Sequence, residues 1–136
     1  MNIGSSPNIV EAPIDSLSTQ TVAFSHYNHL SAQLPIDPKT GHLVGEDIQT
    51  QTTQCLTHIQ TIVESIGHVL EDVVKVNLYV TNVSDMPIVD EVYATFFKTA
   101  TPARRVVGVK HVPQGALIQI DVVVGNAEGT PVKSFV

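Results

Sequence analysis

Apolar residues recur at spacings of three and four between positions 47 and 66, which predicts an amphipathic helix from Asp47 to Ile66. Its apolar positions are Ile48, Cys55, Leu56, Ile59, Ile62, Val63 and Ile66. Gly67 follows, and glycine is favoured there because it readily adopts the left-handed conformation that ends many helices. A second helix is predicted from Asp85 to Thr99, with Ser84 or Asp85 as its cap and Pro87 in its first turn.

Alternation of apolar and polar residues predicts a strand from Val73 to Thr81, because successive side chains of a strand point to opposite faces. One face is predicted to carry Val74, Val76, Leu78 and Val80, and the other Lys75, Asn77 and Tyr79. Four further segments are predicted as strands: Thr19–Ser25, Asn28–Leu34, Arg104–Lys110 and Ala116–Val124. The first two are joined at His26 and Tyr27, which predicts a tight hairpin.

The predicted order β-β-α-β-α-β-β indicates a single α+β domain over residues 1–136, with irregular ends at 1–13 and 126–136. Two helices in this order are expected to cover one face of a mixed sheet. The other face is not polar enough to be left in water everywhere. We expect Val106, Val122 and Val124 to lie there, which favours oligomerisation through the open face.

Charge and composition exclude several classes of protein. Seven Lys and Arg stand against 13 Asp and Glu, giving a net charge of −6, and the longest arginine run is Arg104-Arg105. A broad nucleic-acid surface needs a basic stripe, so no nucleic-acid partner is expected. No apolar run reaches membrane-spanning length, and residues 1–14 lack the features of a secretory signal. With one cysteine, Cys55, the chain is expected to be a soluble cytoplasmic protein.

The arginine pair and one carboxylate are the strongest candidates for chemistry. Arg104 and Arg105 begin a strand and therefore point to opposite faces, so only one of them can enter a given cleft. An arginine there can bind a carboxylate through two parallel hydrogen bonds, or it can be a surface residue near a subunit boundary. Asp121 shares a strand face with Leu117, Gln119 and Val123. It is either a general base or a structural partner for an arginine or backbone donors.

The histidines and the cysteine indicate no metal or cofactor. Six histidines are scattered without the spacing of a zinc motif, and a single cysteine cannot form a thiolate cluster. Cys55 lies beside the apolar stripe of the first predicted helix and is expected to be a core residue. No glycine-rich phosphate loop is present.

Several motifs in order resemble those of the YjgF/RidA family, which comprises imine deaminases and endoribonuclease L-PSP-like proteins. Leu30–Pro35 resembles its Ser-Gly-Gln-Ile/Leu-Pro segment, and Asp37–Gly41 the turn that follows. Tyr93–Phe97 and Pro102–Arg104 resemble its Tyr-x-x-Phe-Phe and Pro-Ala-Arg motifs. Ile118–Asp121 falls where the family usually has Ile-Glu-Ile-Glu.

The resemblance implies a chorismate-mutase-like fold that forms a homotrimer with ligand clefts between neighbouring subunits. It also implies a deaminase in which water attacks the C=N carbon of a 2-iminoacid, releasing ammonia and a 2-ketoacid. Arg104 would bind the substrate carboxylate, and backbone groups of Ser31-Ala32 and Val106 would line the cleft. Asp121 would place the water or carry a proton.

The chain departs from that branch of the family at several cleft positions. Ser18 aligns with a cleft tyrosine, Ala32 with a glycine, and Asp90 with an asparagine in the second helix. Arg105 and Val106 replace a serine and a cysteine, and Asp121 replaces a glutamate. Arg105 is therefore expected at a subunit or solvent surface.

These departures leave two interpretations open: a deaminase of altered specificity, or a non-catalytic trimer that binds a small carboxylate. A third, an endoribonuclease, is disfavoured by the acidic balance of the chain.

Overall fold

The computed structural model describes residues 21–24, 27–99 and 101–125. The elements are β1 (Thr21–Phe24), β2 (Tyr27–Leu30), α1 (Ile48–Ser65), β3 (Val73–Val80), α2 (Met86–Phe96), β4 (Ala103–Gly108) and β5 (Ile118–Gly125). Short 3-10 turns lie at Leu70–Asp72, Val83–Asp85 and Pro113–Gly115. This order confirms the predicted α+β arrangement. Ser18, His26 and the ends predicted as irregular lie outside the described residues.

Both helices begin and end close to the predicted positions. The Asp47 carboxylate accepts a hydrogen bond from the Thr50 backbone N–H at 2.8 Å, so Asp47 caps α1, and this bond lowers the pKa of Asp47. Gly67 has a φ of +86°, in the left-handed region, directly after the helix cap at Ile66. α2 ends at Phe96 rather than at the predicted Thr99. Phe97 leaves helical geometry there, and its buried ring packs on Tyr93 with ring centroids 4.7 Å apart.

The five strands form one mixed sheet in the order β1-β2-β5-β3-β4. β3 and β4 are parallel and are connected through α2, as a parallel pair requires a crossover. The other three pairs are antiparallel. β3 therefore lies between β4 and β5, and its residues from Lys75 to Val80 have a neighbour on both sides.

The helices cover the face of the sheet that carries the even-numbered residues of β5. These residues and three of their neighbours on β3 are at most 1% exposed: Val76, Leu78, Val80, Ile118, Ile120, Val122 and Val124. The expectation that Val122 and Val124 lie on the open face is therefore wrong, because they form the core beneath α1 and α2. Val106 pairs with Leu78 and is also on the helix-covered face, and it is 38% exposed because β4 is the edge strand.

An irregularity at the start of β3 changes one further prediction. The register between β3 and β5 shifts between Val73 and Lys75. As a result Val73 is 3% exposed and belongs to the core, whereas Val74 is 39% exposed. The prediction that Val74 shares a face with Val76 is thus wrong, because strict alternation does not hold across a β-bulge.

Candidate functional site

Arg104 lies on the helix-covered side of the exposed edge strand. It pairs with the buried residue Val76 in the sheet register, so its side chain leaves the sheet toward α2. Its Nη2 lies 2.8 Å from Oδ1 of Asp90, and its Cζ lies 4.8 Å from the centre of the Tyr93 ring. The side chains of Arg104 and Asp90 are 29% and 48% exposed. The guanidinium is therefore held by a carboxylate and an aromatic ring, yet remains open to solvent.

The ring of Tyr93 lies against the guanidinium of Arg104. Tyr93 is 6% exposed, and its hydroxyl has no hydrogen-bond partner in the part of the chain that the structure describes. Burial raises the pKa of Tyr93, the positive charge of Arg104 lowers it, and the negative charge of Asp90 raises it. Tyr93 thus stays neutral and offers Arg104 the electron-rich face of its ring.

Asp121 lies on the open face, which the helices do not cover. It pairs with Asn77 in the register of β3 and β5, and its Oδ1 accepts a hydrogen bond from Asn77 Nδ2 at 2.8 Å. Asn77 pairs on its other side with Arg105 of β4. Arg105, Asn77 and Asp121 therefore form a row across three strands, which we call the polar row.

Tyr79 adds a hydroxyl next to the polar row. It lies on the same face as Asn77, two residues further along β3, and its side chain interacts with Asp121. Burial raises the pKa of Tyr79, the negative charge of Asp121 and its hydrogen bond raise it further, and Arg105 opposes the shift. Asp121 is therefore hydrogen-bonded by Asn77, and its charge acts on the neighbouring Tyr79.

Arg104 and Asp121 are separated by β3 and lie on opposite faces of the sheet. Two strand spacings place their backbones about 10 Å apart, and their side chains diverge from there. Within one chain the structure does not bring them together. A small molecule that contacts both side chains must lie between two copies of the chain.

Ser31 and Ala32 lie beside Asp121, at a break in the pairing of β2 with β5. His29 pairs with Val123 and Gln33 with Ile120, so three residues of one strand face two of the other. Gln33 fixes this bulge through two backbone bonds with Ile120, of 2.7 and 3.2 Å, and its side-chain amide donates to the Ser31 carbonyl at 2.9 Å. Ser31 is half-buried and Ala32 is exposed. Backbone groups are thus presented near Asp121.

The predicted site residues therefore form two groups. Arg104, Asp90 and Val106 lie on the helix-covered side of the β4 edge, and Asp121 lies with Ser31 and Ala32 near β2. Ser18 lies outside the described residues. Sequence reasoning missed the roles of Asn77, Tyr79 and Tyr93. The alternation of β3 places Asn77 and Tyr79 on the polar face, but only the strand register brings them to Asp121.

Cys55, His58 and His68 have structural contacts. Cys55 is fully buried, its Sγ lies 3.4 Å from the Gln33 carbonyl oxygen, and burial raises the pKa of its thiol far above the ordinary value. The His58 ring contacts the Ile36 carbonyl at 2.8 Å, and the His68 ring contacts Asp72 at 2.8 Å. Within residues 21–24, 27–99 and 101–125, no three His, Cys, Asp or Glu side chains are grouped to hold a metal ion.

Two further observations concern the surface. An open pocket among the loops is lined by His42, Leu43, Val44, Gly45, Glu46 and Gln114, and none of the predicted site residues that the structure describes lines it. None of the helices in the described part of the chain is both long and apolar enough to cross a membrane.

Comparison with known proteins relates this geometry to a family. The sequence profile of the family described as Endoribonuclease L-PSP matches residues 10–125. A RutC family protein of Pyrococcus horikoshii is 39% identical over 105 residues, covering 77% of this chain and 83% of that protein. A protein of Dermatophagoides farinae named 2-iminobutanoate/2-iminopropanoate deaminase is 33% identical over 106 residues, covering 78% of this chain and 83% of that one.

Solved structures agree with the fold. YyfA of Yersinia pestis, described as a member of the conserved Rid protein family, has a TM-score of 0.83 and 33% identity, covering 91% of this chain and 98% of its own. TdcF of E. coli, solved with bound serine, has a TM-score of 0.79 and 26% identity, covering 92% of this chain and 98% of its own.

Proposed function

The chain belongs to the Endoribonuclease L-PSP family, also called YjgF/RidA, and from this premise we propose that it hydrolyses small 2-iminoacids or their enamines to 2-ketoacids and ammonia. The proposed sites lie in clefts between the subunits of a homotrimer, and the proposed location is the cytoplasm. The names of two similar proteins support the substrate class. One is a 2-iminobutanoate/2-iminopropanoate deaminase, and the other was solved with bound serine, a small molecule that carries a carboxylate.

The separation of Arg104 from Asp121 is the observation that supports a site between subunits. A 2-iminoacid has its carboxylate and its reacting carbon one bond apart, so its two contacts must lie within a few ångströms. The two side chains diverge on opposite faces of one sheet and cannot meet this requirement alone. In a cyclic homotrimer, however, the edge that carries Arg104 in one subunit can face the Asp121 region of its neighbour.

In the proposed reaction Arg104 binds the substrate carboxylate through N–H groups that Asp90 does not occupy. Asp121 orients a water molecule and takes its proton as the oxygen attacks the C=N carbon, giving a tetrahedral carbinolamine. Asp121 then returns this proton to the nitrogen and takes the proton of the carbinolamine hydroxyl as the C=O bond forms and the C–N bond breaks. The leaving ammonia carries this second proton away, which restores the carboxylate. The net reaction consumes one water molecule and yields one ketoacid and one ammonia.

The remaining predicted residues complete the proposed cleft. Backbone groups of Ser31, Ala32 and Val106 would line it, and Ser18 would take the position of the family's tyrosine. Asn77 and Tyr79 would fix the Asp121 carboxylate, whose side chain is shorter than the family's glutamate. An error of about 1 Å in such a group can cost on the order of 10²-fold in rate, so the position of the Asp121 carboxylate matters for turnover.

A non-catalytic carboxylate-binding trimer is the second candidate. It is favoured by the hydrogen bond of Asp121, because one carboxylate oxygen already accepts from Asn77 Nδ2 at 2.8 Å. A carboxylate oxygen that already accepts a hydrogen bond is less able to take a proton from water. This candidate keeps Arg104 as the binding residue and assigns no proton transfer to Asp121.

An assay with iminoacids made in situ separates the candidates. An L-amino-acid oxidase would generate the iminoacid, and its disappearance would be followed by capture with semicarbazide. If the protein is a deaminase, the wild-type trimer should accelerate the loss of imine above the uncatalysed rate. Arg104→Ala should give no acceleration. The binding trimer would be favoured by two results together. The protein would accelerate hydrolysis of none of several iminoacids, and 2-ketoacids would raise the melting temperature of the wild type but not of Arg104→Ala. RNA cleavage by the same preparation that disappears in Asp121→Asn would instead support an endoribonuclease.

A further inference from the structure

The contact between Arg104 and Asp90 has a consequence for ligand selection, on the assumption that the proposed carboxylate site is correct. Asp90 lies on α2 and Arg104 on β4, and their charged groups are 2.8 Å apart. Both side chains remain partly exposed, and the ring of Tyr93 covers one side of the guanidinium. A ligand carboxylate that binds Arg104 must therefore approach a guanidinium whose charge is already largely balanced.

We propose that Asp90 is a specificity-determining residue that makes this site select zwitterionic ligands over purely anionic ones. The 2-iminoacid in its protonated, iminium form is a zwitterion, whereas the 2-ketoacid product is an anion. Asp90 then favours substrate binding over product binding at the same arginine.

The electrostatic reasoning starts with the anion. Because Asp90 holds one edge of the guanidinium at 2.8 Å, a carboxylate on another edge lies about 6 Å from the Asp90 carboxylate. Repulsion between two unit charges at that distance, reduced by solvent at a half-exposed position, corresponds to about three- to tenfold weaker binding. A 2-ketoacid experiences this repulsion without any compensation.

Asp90 both repels and attracts a zwitterion. Its carboxylate is repelled by Asp90, but the positive nitrogen on the next carbon lies at a similar distance and is attracted. The two effects nearly cancel, so Asp90 has little influence on the affinity for a zwitterion. Asp121, which is also acidic and is proposed to reach the reacting carbon from the neighbouring subunit, would add to the attraction of the nitrogen.

The test compares two ligands that differ only at C2. 2-Ketobutanoate is an anion, and 2-aminobutanoate is a zwitterion of the same carbon skeleton. Their affinities would be measured by isothermal titration calorimetry with the full-length assembly. The variant is Asp90→Asn, which keeps the shape of the side chain and removes its charge. The control is Glu91→Gln, the same charge change at the neighbouring, exposed position of α2.

Asp90→Asn is expected to tighten 2-ketobutanoate binding about three- to tenfold and to change 2-aminobutanoate binding by less than about twofold. Glu91→Gln should change the ratio of the two affinities by less than about 1.5-fold, because exposed charges further from the site are screened. An unchanged ratio in Asp90→Asn, or an equal shift in Glu91→Gln, would overturn the inference.

Arg104→Ala distinguishes failure of this inference from failure of the proposed site. If Arg104→Ala abolishes binding of both ligands but Asp90→Asn leaves their ratio unchanged, the carboxylate site stands and the role of Asp90 is wrong. If Arg104→Ala leaves both affinities intact, or neither ligand binds the wild-type protein at tens of millimolar, the carboxylate site itself is wrong and the inference falls with it.

Discussion

Arg104 and Asp121 belong to strands on either side of β3 and point to opposite faces of the sheet. Arg104 pairs with Val76, which is buried beneath the helices, and Asp121 pairs with Asn77 on the open face. The two groups are thus aligned with adjacent residues of β3, whose side chains lie on opposite faces of the sheet. Chemistry that uses both groups on one small substrate requires a neighbouring subunit, and this requirement is the basis of the proposed function.

Arg104→Ala is expected to lower the affinity for a 2-ketoacid by at least about tenfold, since charge-assisted hydrogen bonds contribute about 1.5–3 kcal/mol. Arg105→Ala is the matched control, because Arg105 points to the open face beside Asn77. It should change the affinity by less than about threefold if the assembly stays intact. Binding would be measured by calorimetry and assembly by sedimentation. Equal losses in the two variants would show that the two arginines are not functionally distinct.

Removal of the Asn77 side chain is expected to reduce turnover more than binding. Asn77→Ala deletes the 2.8 Å hydrogen bond that holds Asp121, so the carboxylate loses its fixed position. We predict a fall in kcat of about tenfold with KM changed less than about twofold, and a larger fall of about 10²-fold for Asp121→Asn. Steady-state kinetics in the iminoacid assay would check this. A rise in KM at constant kcat would contradict a positioning role.

Much of the fold follows from patterns that act over short distances. The spacing of apolar residues locates α1 between its cap at Asp47 and the left-handed Gly67. Alternation along β5 predicts that Asp121 shares a face with Gln119 and Val123, and the burial of the intervening residues confirms it. These features depend on the period of a helix or strand, which the sequence carries directly.

The errors arise where distant parts of the chain meet. Periodicity groups Val122 with Val124, but it does not say which face the helices cover, and both residues prove to be core. A bulge between Val73 and Lys75 moves Val74 out of the core, and no local pattern marks it. The contacts of Asp90 with Arg104 and of Asn77 with Asp121 join separate elements, so only the folded chain reveals them.

The thiol of Cys55 is expected to be unreactive in the folded protein. It is fully buried, and desolvation raises its pKa, so almost no thiolate is available at neutral pH. A thiol reagent such as 5,5′-dithiobis(2-nitrobenzoate) should label less than one-tenth of the folded protein in an hour at pH 8 and label it fully in guanidinium chloride. Rapid labelling of the folded protein with loss of activity would indicate a functional cysteine.

The same burial predicts a loss of stability at alkaline pH. The pKa of Cys55 is raised from an ordinary value of 9.0, so the unfolded chain releases this proton before the folded protein does. The stabilisation is complete below about pH 9 and is lost as the pH rises above it, by up to about 1.4 kcal/mol per pH unit for one group. Urea unfolding between pH 8 and 10.5 would measure this slope, which should be smaller in Cys55→Ser.

Substitutions on β3 and in the following turn test the packing of the core. Leu78 is fully buried, and Leu78→Ala should lower the free energy of unfolding by about 2–5 kcal/mol. Val83 is 59% exposed, and Val83→Ala should change it by less than about 0.5 kcal/mol. Both would be measured by urea unfolding at one fixed protein concentration, since assembly adds to stability. Similar effects of the two substitutions would be inconsistent with the described core.

Complementation between two inactive variants tests the shared cleft most directly. Arg104→Ala and Asp121→Asn would be coexpressed with different affinity tags, and mixed assemblies purified through both tags. If each cleft takes Arg104 from one subunit and Asp121 from its neighbour, every mixed trimer that carries both tags has one intact cleft, about one third of its clefts. Iminoacid hydrolysis should then recover to a comparable fraction of wild-type activity. Mixed assemblies that are no more active than either parent would contradict a site shared between subunits.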